Sequence, residues 1–393
     1  MPHFRYLIIG SGMTADSAVQ GIRSLDRSGS IGILSSESHP PYNRPPLSKG
    51  LWKGDPLESI WRKTQELGVE LHLGHEAKQL DARKRLVTDD RGTVYGFDKL
   101  LLATGGSVRR LSFGGDHIVY FRTLDDYQRL RALAEKGKRF AMIGGGFIGW
   151  EIAAALAMKG RHVTMLFPGE GIGSHIYPRD LSQFLNSFYR EKGVEVLPGE
   201  TAVGLDARGE GFVLKTRGGL AIEVDGVAAG IGIQPNTMLA EVAGVKTGNG
   251  IVVNEHLETS HPDIYAAGDV AEFHNPALAK RMRVEHEDNA NTMGKLAGEC
   301  MAGKATPYHH LPFFYSDLFD LGYEAVGELD PRLETFADWK TPFREGIVYY
   351  LDQGKVRGVL LWNTWGQVDN AREVIAQPGP VEPQDLKGRL PVE

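Results

Sequence analysis

Two glycine-rich hexads carry the spacing that can hold a phosphate. The first is Gly10-Ser11-Gly12-Met13-Thr14-Ala15, directly after the apolar run Tyr6-Leu7-Ile8-Ile9. The second is Gly144-Gly145-Gly146-Phe147-Ile148-Gly149, directly after Phe140-Ala141-Met142-Ile143. In each, the first glycine suits a tight turn and the second lets a backbone approach a pyrophosphate. The third position, Ala15 or Gly149, lets helix and strand pack closely. Phosphate charge then meets free amides at a helix N-terminus. One such hexad is weak; two, each between a strand-like and a helix-like run, imply two dinucleotides in one chain.

The elements around the hexads read as two nucleotide-binding units, the second inserted between the parts of the first. Residues 4–36 read as strand, helix and strand, closing on Ile31-Gly32-Ile33-Leu34. Residues 39–50 form a proline-rich ordered loop leading to a helix, and 94–104 hold a strand stopped by Gly105-Gly106. The pattern restarts near residue 118 with a helix over 124–136. After the second hexad, Ile148, Ile152, Ala155 and Leu156 form one apolar stripe. A strand over 163–167 and a helix with Leu181, Phe184, Leu185 and Phe188 on one face follow. The Gly218-Gly219 turn predicts a hairpin of strands over 211–217 and 220–225. Residues 251–271 return to strand character and end at Gly268-Asp269. From about 310, strands at Phe313-Phe314-Tyr315, 346–351 and 356–362 predict a small α+β domain. The proline- and charge-rich stretch 377–393 reads as a surface tail.

Composition narrows the function classes. The chain has 393 residues, so two or three domains are expected. A net charge of −6 disfavours a nucleic-acid binder. The single cysteine, Cys300, allows neither an intramolecular disulfide nor a C-x-x-C pair, and reads as a small buried hydrophobe. Thirteen histidines without close carboxylate or cysteine spacing make no case for a metal, and His309-His310 reads as a loop. No apolar stretch reaches the length of a membrane span. No leader pattern precedes the first strand, so the expected location is cytoplasmic.

Five ordered motifs together resemble the flavoprotein reductases with two dinucleotide domains. They are the first hexad, Pro41-Tyr42-Asn43-Arg44-Pro45-Pro46-Leu47-Ser48-Lys49, Ala103-Thr104-Gly105-Gly106, Gly144 to Glu151, and Ala267-Gly268-Asp269. Within that superfamily the chain is similar to the apoptosis-inducing-factor and ferredoxin reductase group. The signals are Arg283-Val284-Glu285-His286, Leu296 to Glu299, Ser316-Asp317, Gly322 to Ala325 and Leu360 to Asn363. A targeting presequence, a long C-terminal insertion and an extra hairpin of the mitochondrial members have no counterpart here, so reductase chemistry is expected and not the cell-death role. The implied fold is α/β. An FAD-binding Rossmann-like domain spans 1–117 and 248–308, an NAD(P)H-binding one spans 118–247, and a C-terminal α+β interface domain spans 309–393.

The resemblance implies a role for each matching residue. Lys49 and Glu151 would form an ion pair that tunes the flavin beside N5, where hydride arrives; without the motifs they read as a loop lysine and a solvated glutamate. On the FAD side stand Gly10, Gly12, Met13, Thr14, Ala15, Arg44, Ala103, Thr104, Gly105, Arg122, Gly268, Asp269, Glu285, His286 and Tyr315. Arg44 is aimed at the phosphates and Asp269 at the ribityl chain. The alternatives are surface arginines for Arg44 and Arg122, a helix cap for Asp269, a structural His286 and a core aromatic for Tyr315. The adenosine ribose is read by Glu37 or, more weakly, by Ser36. On the nicotinamide side stand Gly144, Gly145, Gly146, Phe147, Ile148, Gly149, Glu151, Glu170, His175 and Gly232.

Phe167 occupies the usual acidic position of an NADH site, and no Arg or Lys follows at once to meet a 2′-phosphate. NADH is favoured over NADPH. Without a second cysteine, electrons must leave the flavin directly for an external acceptor, a ferredoxin, a rubredoxin, a quinone or another. The expected partners are the nicotinamide nucleotide and a small electron carrier, with room for a homodimer. The alternative is an NADH-responsive redox sensor or interaction protein, with slow turnover and a long-lived reduced flavin–NAD complex.

Overall fold

The computed structural model describes residues 1–391, and by contact the chain divides into two compact units. The first comprises Met1–Arg44, Pro56–Ser107 and Gln234–Pro312. Its main sheet runs in the order Val69–Leu73, Ile31–Ser35, His3–Ile9, Val94–Leu102, Leu86–Asp89, Ala77–Asp81, and Ile264–Ala266 also pairs with Val94–Leu102. The pairings from Val69–Leu73 through His3–Ile9 to Val94–Leu102 and Ile264–Ala266 are parallel. Leu7, Ile8, Ile33, Leu34 and Leu100 to Leu102 are buried, as runs apolar on both faces require.

The helix Met13–Leu25 lies against Glu287–Met301 with almost no side chain between them. A Cβ on Gly21 would stand 2.1 Å from the Lys295 carbonyl oxygen, and one on Gly298 2.0 Å from that of Ala18. Small residues at those positions let the two backbones touch, which fixes where Thr14 sits. Cys300 is buried in this packing, as expected of a small hydrophobe, and burial raises its thiol pKa.

The second unit comprises Pro45–Asp55, Val108–Ile233 and Phe313–Glu393, of which the last two residues lie outside the described ones. A five-stranded parallel sheet has the order Val194–Pro198, His162–Phe167, Arg139–Ile143, Gly226–Ala229, Ile118–Tyr120. A five-stranded antiparallel sheet has the order Phe313–Leu318, Leu321–Gly327, Lys355–Trp362, Glu345–Asp352, Glu334–Thr341, with the helix Val368–Ala376 against it. The helix Leu124–Lys136 has the predicted bounds and closes its own N-terminus with a capping box of Thr123 and Asp126.

The hairpin about Gly218 is present, Gly211–Thr216 pairing antiparallel with Ala221–Val224, and Ala202–Arg208 extends it to a three-stranded sheet. Other expectations are corrected. Residues 251–271 hold only the short strands Ile251–Val252 and Ile264–Ala266 before the Gly268–Val270 turn. Between them the Asn254 side chain accepts from the amides of His256 and Glu258, and Leu257 and Asp263 adopt positive φ, so the backbone turns and pairs only at the Glu258–Tyr265 bridge. The helix Phe147–Met158 is not an apolar stripe facing one way: Gly149 to Leu156 are all buried, Glu151 included, because the helix has protein around it, while Ile148 is only half-buried. The last stretch is no free tail through residue 391. Leu386 and Leu390 are buried, and the Gly388 amide donates to Asp338 at 2.7 Å.

Candidate functional site

In the first unit the strand His3–Ile9 delivers Gly10 at φ +110, where a Cβ would lie 2.2 Å from the Ala103 carbonyl oxygen. Only glycine fits. Gly12 caps the helix Met13–Leu25 without any side-chain hydrogen bond, and a Cβ there would meet nothing within 4 Å. That is the geometry of a helix N-terminus left open to an anion. Thr14 rests against Gly268, where a Cβ would come 2.2 Å from its Oγ1, and Gly268 takes φ +76. The neighbouring Asp269 is half-buried in the turn Gly268–Val270; Ala267 is the cap of that turn, so Asp269 is not.

Other predicted residues of this unit gather in pairs. The Thr104 hydroxyl donates to the Asn236 carbonyl and the Asn236 amide donates back to the Thr104 carbonyl, both at 2.8 Å, and Gly105 turns at φ +61. The strand Ile31–Ser35 ends one residue before Ser36, which is exposed. Glu37 pairs with the Arg44 guanidinium and accepts from Tyr42 Oη at 2.8 Å. Burial works against the charge of Arg44, but Glu37, Tyr42 and Asp269 outweigh it and raise its pKa. Arg283 holds Glu285 at 2.6 Å and donates to the Asp269 carbonyl at 2.9 Å. His286 caps the helix Glu287–Met301 by position, without a side-chain cap bond.

The second unit repeats the turn. Gly144 takes φ +121, with its would-be Cβ 2.3 Å from the Gly230 carbonyl oxygen, and Gly146 caps the helix Phe147–Met158 without a side-chain bond. Gly149 lies so close to Gly144 that a Cβ would stand 2.1 Å from its carbonyl oxygen. The strand His162–Phe167 ends on the buried ring of Phe167, which would touch a Cβ on Gly145 at 2.7 Å. Glu170 is exposed and pairs with Arg179 at 3.2 Å. Much of His175 faces solvent, yet the protein around its ring desolvates the imidazolium and lowers its pKa. Gly232 takes φ +90, and its carbonyl accepts from the Arg109 amide at 2.9 Å. Arg122 precedes the Thr123 cap, its amide donating to Asp126 at 3.1 Å.

In the same unit Lys49 and Glu151, 102 residues apart, meet with Nζ 2.6 Å from Oε1. Glu151 is neither solvated nor loosely held. Ser48 Oγ donates to its Oε2 and Ser316 Oγ to its Oε1, each at 2.5 Å. The Lys49 ammonium stands 5.2 Å from the ring centroid of Tyr315, which is half-buried and no core aromatic. Ser48, Ser316 and Trp150 were not identified from the sequence as site residues, although each adjoins one that was: Lys49, Tyr315 and Glu151. Asn236, Tyr42 and Arg283 were missed too, since their value lies in what they hold.

Both loops fit a dinucleotide: open glycine caps on helices of 13 and 12 residues, and backbone approach that a side chain would block. Among the described residues one other group, His75, Asp89 and Asp90, brings potential metal-ligating atoms together. Burial would raise the carboxyl of Asp89, but His75, the amides of Thr93 and Arg91 and the Tyr95 hydroxyl hold it at about 2. Those four hydrogen bonds give Asp89 a structural duty. No helix among the described residues is long and apolar enough to cross a membrane.

Comparison with known proteins agrees with this geometry. The family described as pyridine nucleotide-disulphide oxidoreductase matches residues 4–294, and the C-terminal family of mitochondrion-associated apoptosis-inducing factor matches 297–342 and 336–377. Apoptosis-inducing factor 1 of Dictyostelium discoideum is 33% identical, over 96% of this chain and 79% of its own length. The ferredoxin reductase subunit of 5,5'-dehydrodivanillate O-demethylase from a Sphingobium species is 34% identical, over 91% of this chain and 89% of its own. Putidaredoxin reductase, solved in covalent complex with putidaredoxin, superposes with a TM-score of 0.91 at 28% identity, covering 98% of this chain and 96% of that one. With one cysteine in the whole sequence, this chain has no disulfide to relay electrons. It belongs to the pyridine nucleotide-disulphide oxidoreductase family, as a flavoprotein oxidoreductase of the ferredoxin reductase and apoptosis-inducing-factor type that works with FAD and a nicotinamide nucleotide.

Proposed function

We propose that this enzyme takes its electrons from NADH and passes them to a small ferredoxin, with Lys49 and Glu151 tuning the flavin. The observation that carries the reading is the ammonium–carboxylate pair at 2.6 Å, formed by a part-buried Lys49 and a buried Glu151. FAD supplies a hydride acceptor at N5 and one-electron release to a carrier. Lys49 supplies a fixed positive charge where negative charge develops, and Glu151 holds that charge in place without exchanging a proton. Residues 1–117 and 248–308 form the FAD-binding domain in this reading, residues 118–247 the NADH-binding domain and 309–393 the interface domain. Gly12, Met13 and Thr14 present amides to FAD phosphate, and Arg44, kept charged by Glu37, adds the cation. With Glu37 so engaged, Ser36 is the freer partner for the ribose.

NADH is preferred because a 2′-phosphate would find no lysine or arginine from Phe167 to His175. The next cation, Arg179, is already paired with Glu170. A ferredoxin acceptor is supported by relatives that carry that name, from Sphingobium and from Photorhabdus laumondii, and by putidaredoxin reductase.

The test is an anaerobic titration of the FAD-loaded protein with NADH and, separately, NADPH, following the visible flavin band. NADH is expected to bleach it at the lower concentration, and a ferredoxin to restore it within seconds. A preference for NADPH would overturn the donor. A long-wavelength band that survives air and ignores ferredoxin would replace the reductase with the redox sensor.

A further inference from the structure

We propose that Trp150 and Ser316 are positioning residues, a one-way hydrogen-bond relay that orients Glu151 and through it Lys49. This rests on the reading of Lys49 as the cation that serves the flavin. Trp150 Nε1 donates to Ser316 Oγ at 2.8 Å, and both residues are fully buried. An indole N–H can only donate. Ser316 Oγ must therefore accept from Trp150, and its one proton is aimed at Glu151 Oε1, 2.5 Å away. The indole is held in turn by Phe147 and Tyr177, with ring centroids at 4.9 and 5.7 Å, and the Trp150 carbonyl accepts from Tyr189 Oη at 3.1 Å.

The other hydroxyl on Glu151 has no such constraint. Ser48 Oγ lies 2.5 Å from Glu151 Oε2 and also 3.4 Å from the Pro45 carbonyl oxygen, so its proton has a second acceptor. One carboxylate oxygen is thus bound by a serine that can turn away. The other, which holds Lys49, is bound by a serine whose lone pair already takes the indole N–H, which ties its proton more firmly to Oε1. A buried ion pair keeps its geometry only when the remaining acceptor sites are filled. Ser316, held by Trp150, fills the acceptor site on Oε1 beside Lys49.

The relay is tested first without cofactor. In the apoprotein the rate at which an amine-specific acylating reagent modifies Lys49 is read by peptide mass spectrometry. Ser316→Ala and Trp150→Phe are each expected to speed modification roughly tenfold, as loss of a hydrogen bond to a charged group would. Trp150→Phe is expected to add nothing in a Ser316→Ala background, because its N–H acts only through Ser316. Independent, multiplying effects would overturn the relay, and so would unchanged modification in both single variants. Where Ser316→Ala does not fold, Ser316→Cys keeps the volume and weakens the donor. In the FAD-loaded protein the same variants should shift the flavin midpoint potential downward and slow NADH-driven bleaching with KM unchanged. If Lys49→Met bleaches at the parent rate, the role of Lys49 fails, while the acylation cycle still decides the relay.

Discussion

The two glycine turns begin alike and end differently. Gly10 and Gly144 adopt φ +110 and +121, and each lies against the carbonyl of the residue just past the end of the parallel neighbouring strand. Beyond that point the chemistry diverges. After the first turn Ser11 Oγ bonds Ser35 Oγ at 2.7 Å, and the strand end leads to polar Ser36 and Glu37. After the second, the ring of Phe167 lies under Gly145. The third hexad position differs as well. Ala15 carries a buried methyl, whereas Gly149 must itself be bare, since a Cβ there would stand 2.1 Å from the Gly144 carbonyl oxygen. The hexad specifies a turn and an open helix end; what stands beside that end is set by the strand end.

Substitutions at equivalent positions can break this comparison. Gly10→Ala and Gly144→Ala should both be severe, about 3 kcal/mol or more from positive φ and a backbone collision. Chemical denaturation checks this; a mild Gly10→Ala alone would mean the two turns are not alike.

The third position should be asymmetric. Gly149→Ala is expected to cost about 1–3 kcal/mol by pushing its helix off Gly144. Ala15→Gly should cost about 1 kcal/mol, the ordinary helix penalty. Equal losses in thermal unfolding would remove the distinction.

A smaller effect, on binding alone, is expected at the open caps. A Cβ on Gly12 meets no protein atom, and one on Gly146 meets only His175 at 3.8 Å. Both alanine variants should melt with the parent apoprotein. Gly12→Ala should weaken FAD roughly tenfold or more and Gly146→Ala should do the same to NADH, a loss of about 1.4 kcal/mol each. Calorimetric titration separates the two loops, and a Gly12→Ala protein that binds FAD normally would remove the first loop from the FAD site.

The smallest effect concerns His175, which belongs to the second loop only. Its folded pKa is lowered by desolvation, so the unfolded chain binds the proton more readily. The penalty is absent above the ordinary histidine value near 6.5 and complete below the lowered folded one. Stability should therefore decrease slightly as the pH is lowered through that window, and His175→Gln should flatten the dependence. An imidazole NMR titration with a midpoint above 6.5 would contradict it.

Much of this was legible along the chain, where short-range periodicity is the signal. The strands entering both hexads, the helix over 124–136 and the strands over 346–351 and 356–362 lie within a residue or two of expectation. The strands Leu321–Gly327 and Glu334–Thr341 were missed: the first carries two glycine positions, and the second is mostly exposed and polar, so neither shows a clean alternation. Leu386 and Leu390 sit among prolines and charges, and only the sheet face that receives them marks them as core.

The sequence by itself determined the two glycine turns, the family and the lack of a disulfide relay, because each depends on residue type at fixed short spacing or on a count. Tertiary structure decided which groups share a carboxylate. Ser48, Lys49, Glu151 and Ser316 come from three separated stretches, and no local pattern records that Ser48, Lys49 and Ser316 each come within 2.6 Å of a Glu151 carboxylate oxygen. The physical reason is that a hydrogen bond depends on distance and direction in space, whereas propensity and periodicity reach only a few residues along the chain.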